Sequence, residues 1–225
     1  MFRDGTDYYV NFSPPSFDKP FWTARMNSDF SEADVYCSEL MIQPDGNTRN
    51  LTNPIHYPLD QILLVFHLSS RGGILIHAAA IEINKKSYLF AGRSGAGKTT
   101  LSRQFITKYS ETPLSDDRVF IRKIDGDFLA FGTPWYGEGG FAVNRGVPLG
   151  GIFFLAQSNT NMIEDISPVT TIEKLLPVSS IPWYAPEPMS NILAFCDDLI
   201  THIPSHILHF KPDSEVVDML EKFVS

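Results

Sequence analysis

The sequence predicts an α/β fold with a small β-rich lead-in, and three observations carry that expectation. An apolar strand pattern, Ser87 to Ala91, runs into a glycine-rich loop and then into a helical pattern from about Lys98 to Lys108. A near-continuous apolar run, Gly151-Ile152-Phe153-Phe154-Leu155-Ala156, reads as a strand buried on both faces. The other strands come as hairpins among helical stretches and not in regular strand–helix alternation.

Residues 1–57 hold no long helical pattern and form the expected β-rich N-terminal segment, packed on a core domain of residues 58–225. Tyr8 to Phe12 and Ala33 to Cys37 read as strands, with Pro14, Pro15 and Pro20 breaking the chain between them. Asp45-Gly46-Asn47 reads as a turn. Pro58 opens a helix carrying Leu59, Ile62, Leu63, Phe66 and Leu68, which Arg71-Gly72-Gly73 ends. Ile74 to Ile83 and Ser87 to Ala91 form a hairpin around Asn84-Lys85-Lys86. Arg118 to Arg122 is a further strand, and Asp125-Gly126 turns it into Phe128 to Phe131. Thr170 to Leu176 and Pro188 to Ile200 read as helices, with the proline-rich stretch Pro177 to Pro188 as a surface loop between them. His206 to Phe210 is a short strand. Asp213 or Ser214 caps a final helix whose apolar face is Val216, Val217, Leu220 and Phe223.

Composition narrows the function classes. The chain has 225 residues, 18 Lys+Arg against 26 Asp+Glu, and a formal net charge of −8. That balance argues against a nucleic-acid or anionic-membrane partner, both of which need a basic face. The 43% hydrophobic and 20% charged shares are ordinary for a folded protein. Two cysteines, Cys37 and Cys196, exclude a disulfide framework and fit a reducing compartment. No apolar run approaches the roughly 18 residues of a membrane span, and Met1 to Gly5 lacks a signal core. A cytoplasmic location is expected.

The strongest signal is Gly92-Arg93-Ser94-Gly95-Ala96-Gly97-Lys98-Thr99, a full match to G-x-x-x-x-G-K-[ST] in strand–loop–helix context. Glycines let main-chain N–H groups turn inward around an anion, and the helix that starts here adds the positive end of its dipole. Lys98 supplies a point charge to the β- and γ-oxygens, and Thr99 a hydroxyl to Mg²⁺. Gly92, Ser94, Gly95, Ala96, Gly97, Lys98, Thr99 and Thr100 are therefore the expected contacts of a nucleoside triphosphate, taken to be ATP. The motif gives binding and not the reaction. No N-K-x-D base-reading segment occurs, which weighs against a GTPase.

With Ile76-His77-Ala78-Ala79-Ala80, Leu114-Ser115-Asp116-Asp117-Arg118-Val119 and Gly132-Thr133-Pro134-Trp135-Tyr136-Gly137-Glu138-Gly139-Gly140, the loop resembles the catalytic domain of the HPr kinase/phosphorylase family. His77 lies 15 residues before Gly92 and Asp117 lies 18 residues after Thr99, an order and spacing similar to that family over roughly residues 58–160. The resemblance implies a nucleotide-binding core like that of phosphoenolpyruvate carboxykinase, using ATP and Mg²⁺ to phosphorylate a serine. It implies that Lys98 holds the phosphates and that Thr99 and Glu138 serve the metal. Asp117 would take the acceptor's proton, with Asp116 beside it and His77 as a second active-site residue near the phosphates. Gly140 stands where the family carries an arginine, Arg145 aligns with a later family arginine, and the lead-in is shorter than the family's N-terminal domain. A shorter relative is thus implied, acting on a hydroxyl of a protein, peptide or small molecule; the family's assembly allows a homo-oligomer.

The residues themselves leave alternatives open. Adjacent aspartates on a strand face opposite ways, and alternation from Val119 favours Asp117 as the one aimed at the phosphates. Asp116-Asp117 also suits a solvated turn, and His77 within Ile74–Ile81 suits a core histidine. Glu138 sits in a loop whose Gly132, Gly137, Gly139 and Gly140 permit hinge motion, or whose Trp135 and Tyr136 simply pack inward. Arg145 is either a transition-state cation or a surface arginine. His202, His206 and His209 do not share a face and are not expected to bind metal. A nucleotide sensor without transfer activity is the rival to the kinase.

Overall fold

A computed structural model describes residues 1–109 and 113–225. In chain order the elements are β1 (Phe2–Asp4), β2 (Asp7–Phe12), β3 (Trp22–Met26), β4 (Ala33–Cys37), β5 (Ile42–Asp45), β6 (Thr48–Leu51), α1 (Leu59–Ser69), β7 (Gly73–Ile83), β8 (Lys86–Ala91) and α2 (Lys98–Tyr109). There follow β9 (Arg118–Ile124), β10 (Asp127–Gly132), β11 (Gly146–Gln157), β12 (Met162–Asp165), α3 (Pro168–Leu175), α4 (Pro186–His202), β13 (Ser205–Phe210) and α5 (Glu215–Val224). The fold is mixed α/β with a β-rich N-terminus, as the sequence predicts.

The N-terminal strands form an antiparallel sheet in the order β1-β2-β3-β4. Its inward positions, Tyr8, Val10, Trp22, Ala24 and Met26, alternate with polar ones and pack on Leu59 and Phe66 of α1. Tyr8 Oη donates to Glu187 of α4 at 2.8 Å, which ties this sheet to the rest of the chain.

The main sheet has seven strands in the order β10-β9-β7-β8-β11-β13-β12. β8, β11 and β13 run parallel and the other pairings are antiparallel. Two hairpin turns fall where the sequence puts them. Asn84-Lys85 has φ of 51° and 65°, and Asp125-Gly126 has 53° and 93°, the positive values that a two-residue hairpin of right-handed twist requires. Helices cover both faces. α1, α3 and α4 contribute Leu68, Leu175, Ile192, Phe195 and Leu199 to one core, with Ala78 and Ala80 of β7. α2 and α5 contribute Leu101, Phe105, Val216, Val217 and Leu220 to the other, with Ala79 and Ile81. His77 shares parity with Ala79 and so faces α2.

Parallel pairing brings three strand ends to one edge of the sheet: Ala91 of β8, Gln157 of β11 and Phe210 of β13. The crevice outside the carboxyl ends of parallel strands is where open α/β sheets hold ligands. The structure departs from the sequence reading at several elements. Trp22–Met26 is a strand, and Met162–Asp165 adds an edge to the main sheet. Pro186 and Pro188 belong to the first turn of α4 and not to a loop, since a missing N–H costs nothing there. At α5, Ser214 makes no side-chain cap, while Asp213 Oδ1 accepts from the Glu215 N–H at 3.2 Å. Among the described residues no helix is long and apolar enough to cross a membrane.

Candidate functional site

The glycine-rich loop leaves the carboxyl end of β8 and closes on the first turn of α2. Gly97 has φ of +105°, and a Cβ there would run into the Phe210 ring, so no other residue fits without moving a buried aromatic. Gln157, at the end of β11, donates from Nε2 to the carbonyl of Gly95 at 2.8 Å and braces the loop from the side. Lys98 is 7% exposed and donates from Nζ to the carbonyls of Gly92 and Arg93 at 2.9 and 3.3 Å. Burial pushes its pKa down, while the charges of Asp117 and Asp116 pull it back up.

Opposite the loop stand the two aspartates. Asp117 Oδ1 lies 3.0 Å from His77 Nε2, and Oδ2 lies 3.4 Å from Arg118 Nε. The hydrogen bond with His77 holds the Asp117 carboxyl below its ordinary value, helped by the charges of Arg118 and Lys98 and opposed by burial. Asp116 is 1% exposed and does something different. Its Oδ1 accepts from the Gly137 N–H at 2.8 Å and its Oδ2 from the Gly139 N–H at 2.6 Å. The aspartate thus clasps the loop that carries Glu138, and a Cβ on Gly139 would strike the carboxylate. Asp116→Asn keeps one acceptor and sets an amide donor against the other N–H. It is expected to cost about 1.5–3 kcal/mol, a lost hydrogen bond to a charged group. That corresponds to a thermal midpoint lower by about 2–4 °C for each kcal/mol in a chain of this size. An unchanged midpoint would remove the clasp.

The strand-face argument for choosing between the aspartates does not apply. β9 begins at Arg118, and residues 113–117 are a bent segment held by Ala78 N–H to the Asp117 carbonyl at 3.0 Å and Ala80 N–H to that of Ser115 at 2.9 Å. Both carboxylates therefore reach one cleft of about 450 Å³. His77, Ser94, Gly95, Gly97, Lys98, Thr99 and Thr100 line it, with Asp116, Asp117, Gly137 and Glu138 across from them. Gly92 and Ala96 support the loop from behind: their Cβ positions would lie 2.6 Å apart. Glu138 is exposed on the cleft's outer wall.

Arg145 lies elsewhere, with Nη2 2.5 Å from Glu82 Oε2. His202, His206 and His209 pair separately with Asp198, Asp165 and Glu164. Among the described residues no cluster of three or more His, Cys, Asp or Glu forms a metal cage. A hard cation held by substrate phosphates needs no cage; the Thr99 hydroxyl and Glu138 carboxylate on one cleft are oxygen donors of the kind Mg²⁺ takes. Sequence reasoning missed Gln157 and Arg118. Arg118 was in plain view beside Asp117. Gln157 joins the site only through the β8–β11 pairing.

Comparison with known proteins then places the chain. Residues 57–211 match the family model of SynChlorMet cassette protein ScmC, and the chain belongs to that family. No curated protein matches it. Among solved structures it is similar to the Hpr(Ser) kinase/phosphatase from Coxiella burnetii, at 14% identity and a TM-score of 0.38, over 66% of this chain and 94% of that one. The family shown is thus ScmC and not the HPr kinase family that the four motifs resemble, and the likeness to the Coxiella kinase/phosphatase is distant.

Proposed function

We propose that this ScmC family member is a phosphotransferase that moves the γ-phosphoryl group of ATP, with Mg²⁺, onto a hydroxyl of a protein, peptide or small molecule. The observation that carries the reading is the meeting, in one cleft, of a complete phosphate-loop motif with the Asp117–His77 pair. Phosphoryl transfer asks the protein mainly for positioning and charge neutralisation. The phosphate loop and the N-terminus of α2 give anion-binding N–H groups, and Lys98 gives an ammonium that now rests on the loop's own carbonyls. Thr99 and Glu138 would hold Mg²⁺, whose chemistry is to neutralise charge on the phosphate oxygens.

An alcohol is a poor nucleophile until its proton has somewhere to go. Asp117, held ionised by His77 and its cationic neighbours, accepts that proton. The acceptor oxygen bonds to the γ-phosphorus, the bond from phosphorus to the bridging oxygen breaks, and ADP departs with that electron pair. Asp116 keeps the Glu138 loop closed against the site through Gly137 and Gly139. The core domain of residues 58–225 carries this machinery, and the N-terminal sheet leans on its α1.

Incubation of the chain with γ-labelled ATP, Mg²⁺ and cell extract tests the reading. Label is expected on a single class of acceptor, through a phosphate ester of a hydroxyl. Tight ATP binding with no transfer to any acceptor would make the chain a nucleotide sensor instead.

A further inference from the structure

A second cleft of about 440 Å³ opens beside the glycine-rich loop. It shares Gly97, Thr100 and Gln157 with the first. Its own lining is Ser158, Asn159, Phe210 and Pro212, none of them charged. The first cleft, by contrast, carries Lys98, His77, two aspartates and Glu138. Two chambers of opposite character therefore meet at the start of α2.

We infer that the second cleft is the nucleoside site, which takes a neutral, flat, heteroaromatic base and its sugar while the phosphate tail crosses Gly97 into the first cleft. The inference rests on the phosphate-loop reading above and adds where the ligand's other end goes. Three features argue for it. The volume falls within the range of ordinary small-molecule pockets. The lining joins Phe210, buried against Gly97, and Pro212 to Ser158 and Asn159, and an asparagine amide can both donate to and accept from a base edge. The order of groups is also right: second cleft, then Gly97 and Lys98, then Asp117, so a nucleotide lying base-first presents its terminal phosphate to the acid. The acceptor must then enter from the Glu138 side, because Asp117 does not line the second cleft. Gln157 couples the chambers, since it lines both and bonds to Gly95 of the loop.

The test compares ATP with inorganic tripolyphosphate by calorimetry on the full chain with Mg²⁺. ATP is expected to bind at least about tenfold more tightly, the value of roughly 1.4 kcal/mol of base and sugar contact. Asn159→Trp and, independently, Pro212→Trp each add bulk at an exposed position of the cleft's lining. In either chain, with an unchanged thermal midpoint, the ATP-to-tripolyphosphate ratio is expected to collapse toward one. If the two ligands bind the original chain equally, or if both tryptophan variants keep the ratio, the second cleft is not the nucleoside site and the phosphate-loop reading stands. If neither ligand binds the original chain, the phosphate-loop reading fails and takes this inference with it.

Discussion

Asp117→Asn is expected to leave ATP bound and to cut phosphoryl transfer about 10²–10⁴-fold, the contribution of a positioned general base. Asparagine has the shape of aspartate and can still meet His77, so the walls of the cleft stay in place. What disappears is the group that takes the proton. Binding of ATP should hold or tighten, because a negative charge leaves the neighbourhood of the phosphates. Single-turnover rates and equilibrium binding measured on the same preparation separate the two effects. A variant that transfers at the original rate would remove Asp117 from the chemistry. A variant that no longer binds ATP would make it a structural group.

The same carboxylate predicts a pH dependence of stability. Its folded pKa is depressed below the ordinary 3.8, chiefly by the hydrogen bond with His77 and then by the charges around it. A depressed carboxylate stabilises the fold at pH values above its unfolded pKa, and that contribution fades as pH falls through the lower, folded value. The gap in thermal midpoint between the original chain and Asp117→Asn should therefore be open at neutral pH, begin to narrow near the unfolded carboxylate value of about pH 4, and close once pH has fallen through the lower, folded value. Asp117 is 29% exposed, so solvent screens part of the effect.

How much of this was legible in the sequence follows from which signals are local. The loop at Gly92–Thr99 and the helix after it are written in consecutive residues, and so are the hairpin turns at Asn84-Lys85 and Asp125-Gly126. The run Gly151–Phe154 is buried, as a doubly covered strand must be. β3 carries a strand's alternation, Trp22, Ala24 and Met26 against Thr23 and Arg25, but Pro14, Pro15 and Pro20 just before it make the stretch read as a broken connection until β2 and β4 flank it. The site was half legible. His77, Lys98 and Asp117 come from three separate motifs and line one cleft. The division of labour between the aspartates was not legible, because it depends on Gly137 and Gly139 coming back across 21 and 23 residues to Asp116. Nor was the contribution of Gln157 and Phe210, since parallel neighbours are set by strand order and strand order is not local.

Lys98→Met should do the greatest damage, because it reaches both steps of the reaction. Methionine keeps an unbranched stem of similar reach in a position that is 7% exposed, so the fold is expected to survive. The freed carbonyls of Gly92 and Arg93 belong to residues that are half-buried and exposed, within reach of water. Loss of a charge-assisted contact with the phosphates should weaken ATP binding by about 1.5–3 kcal/mol, or roughly 10- to 150-fold. In the proposed transfer the ammonium would also meet the charge that shifts toward the leaving oxygen in the transition state, and removing one such donor costs about 10²–10³ in kcat. The two losses compound in kcat/KM. Burial lowers the Lys98 pKa from the ordinary 10.5, so the original chain should lose ATP affinity on the alkaline side earlier than a solvent-exposed lysine would dictate. The methionine chain, with no ammonium to lose, should show no such alkaline limb. If ATP affinity and its alkaline limb are the same in both chains, Lys98 does not touch the phosphates, and the motif is a glycine-rich turn with no anion to hold.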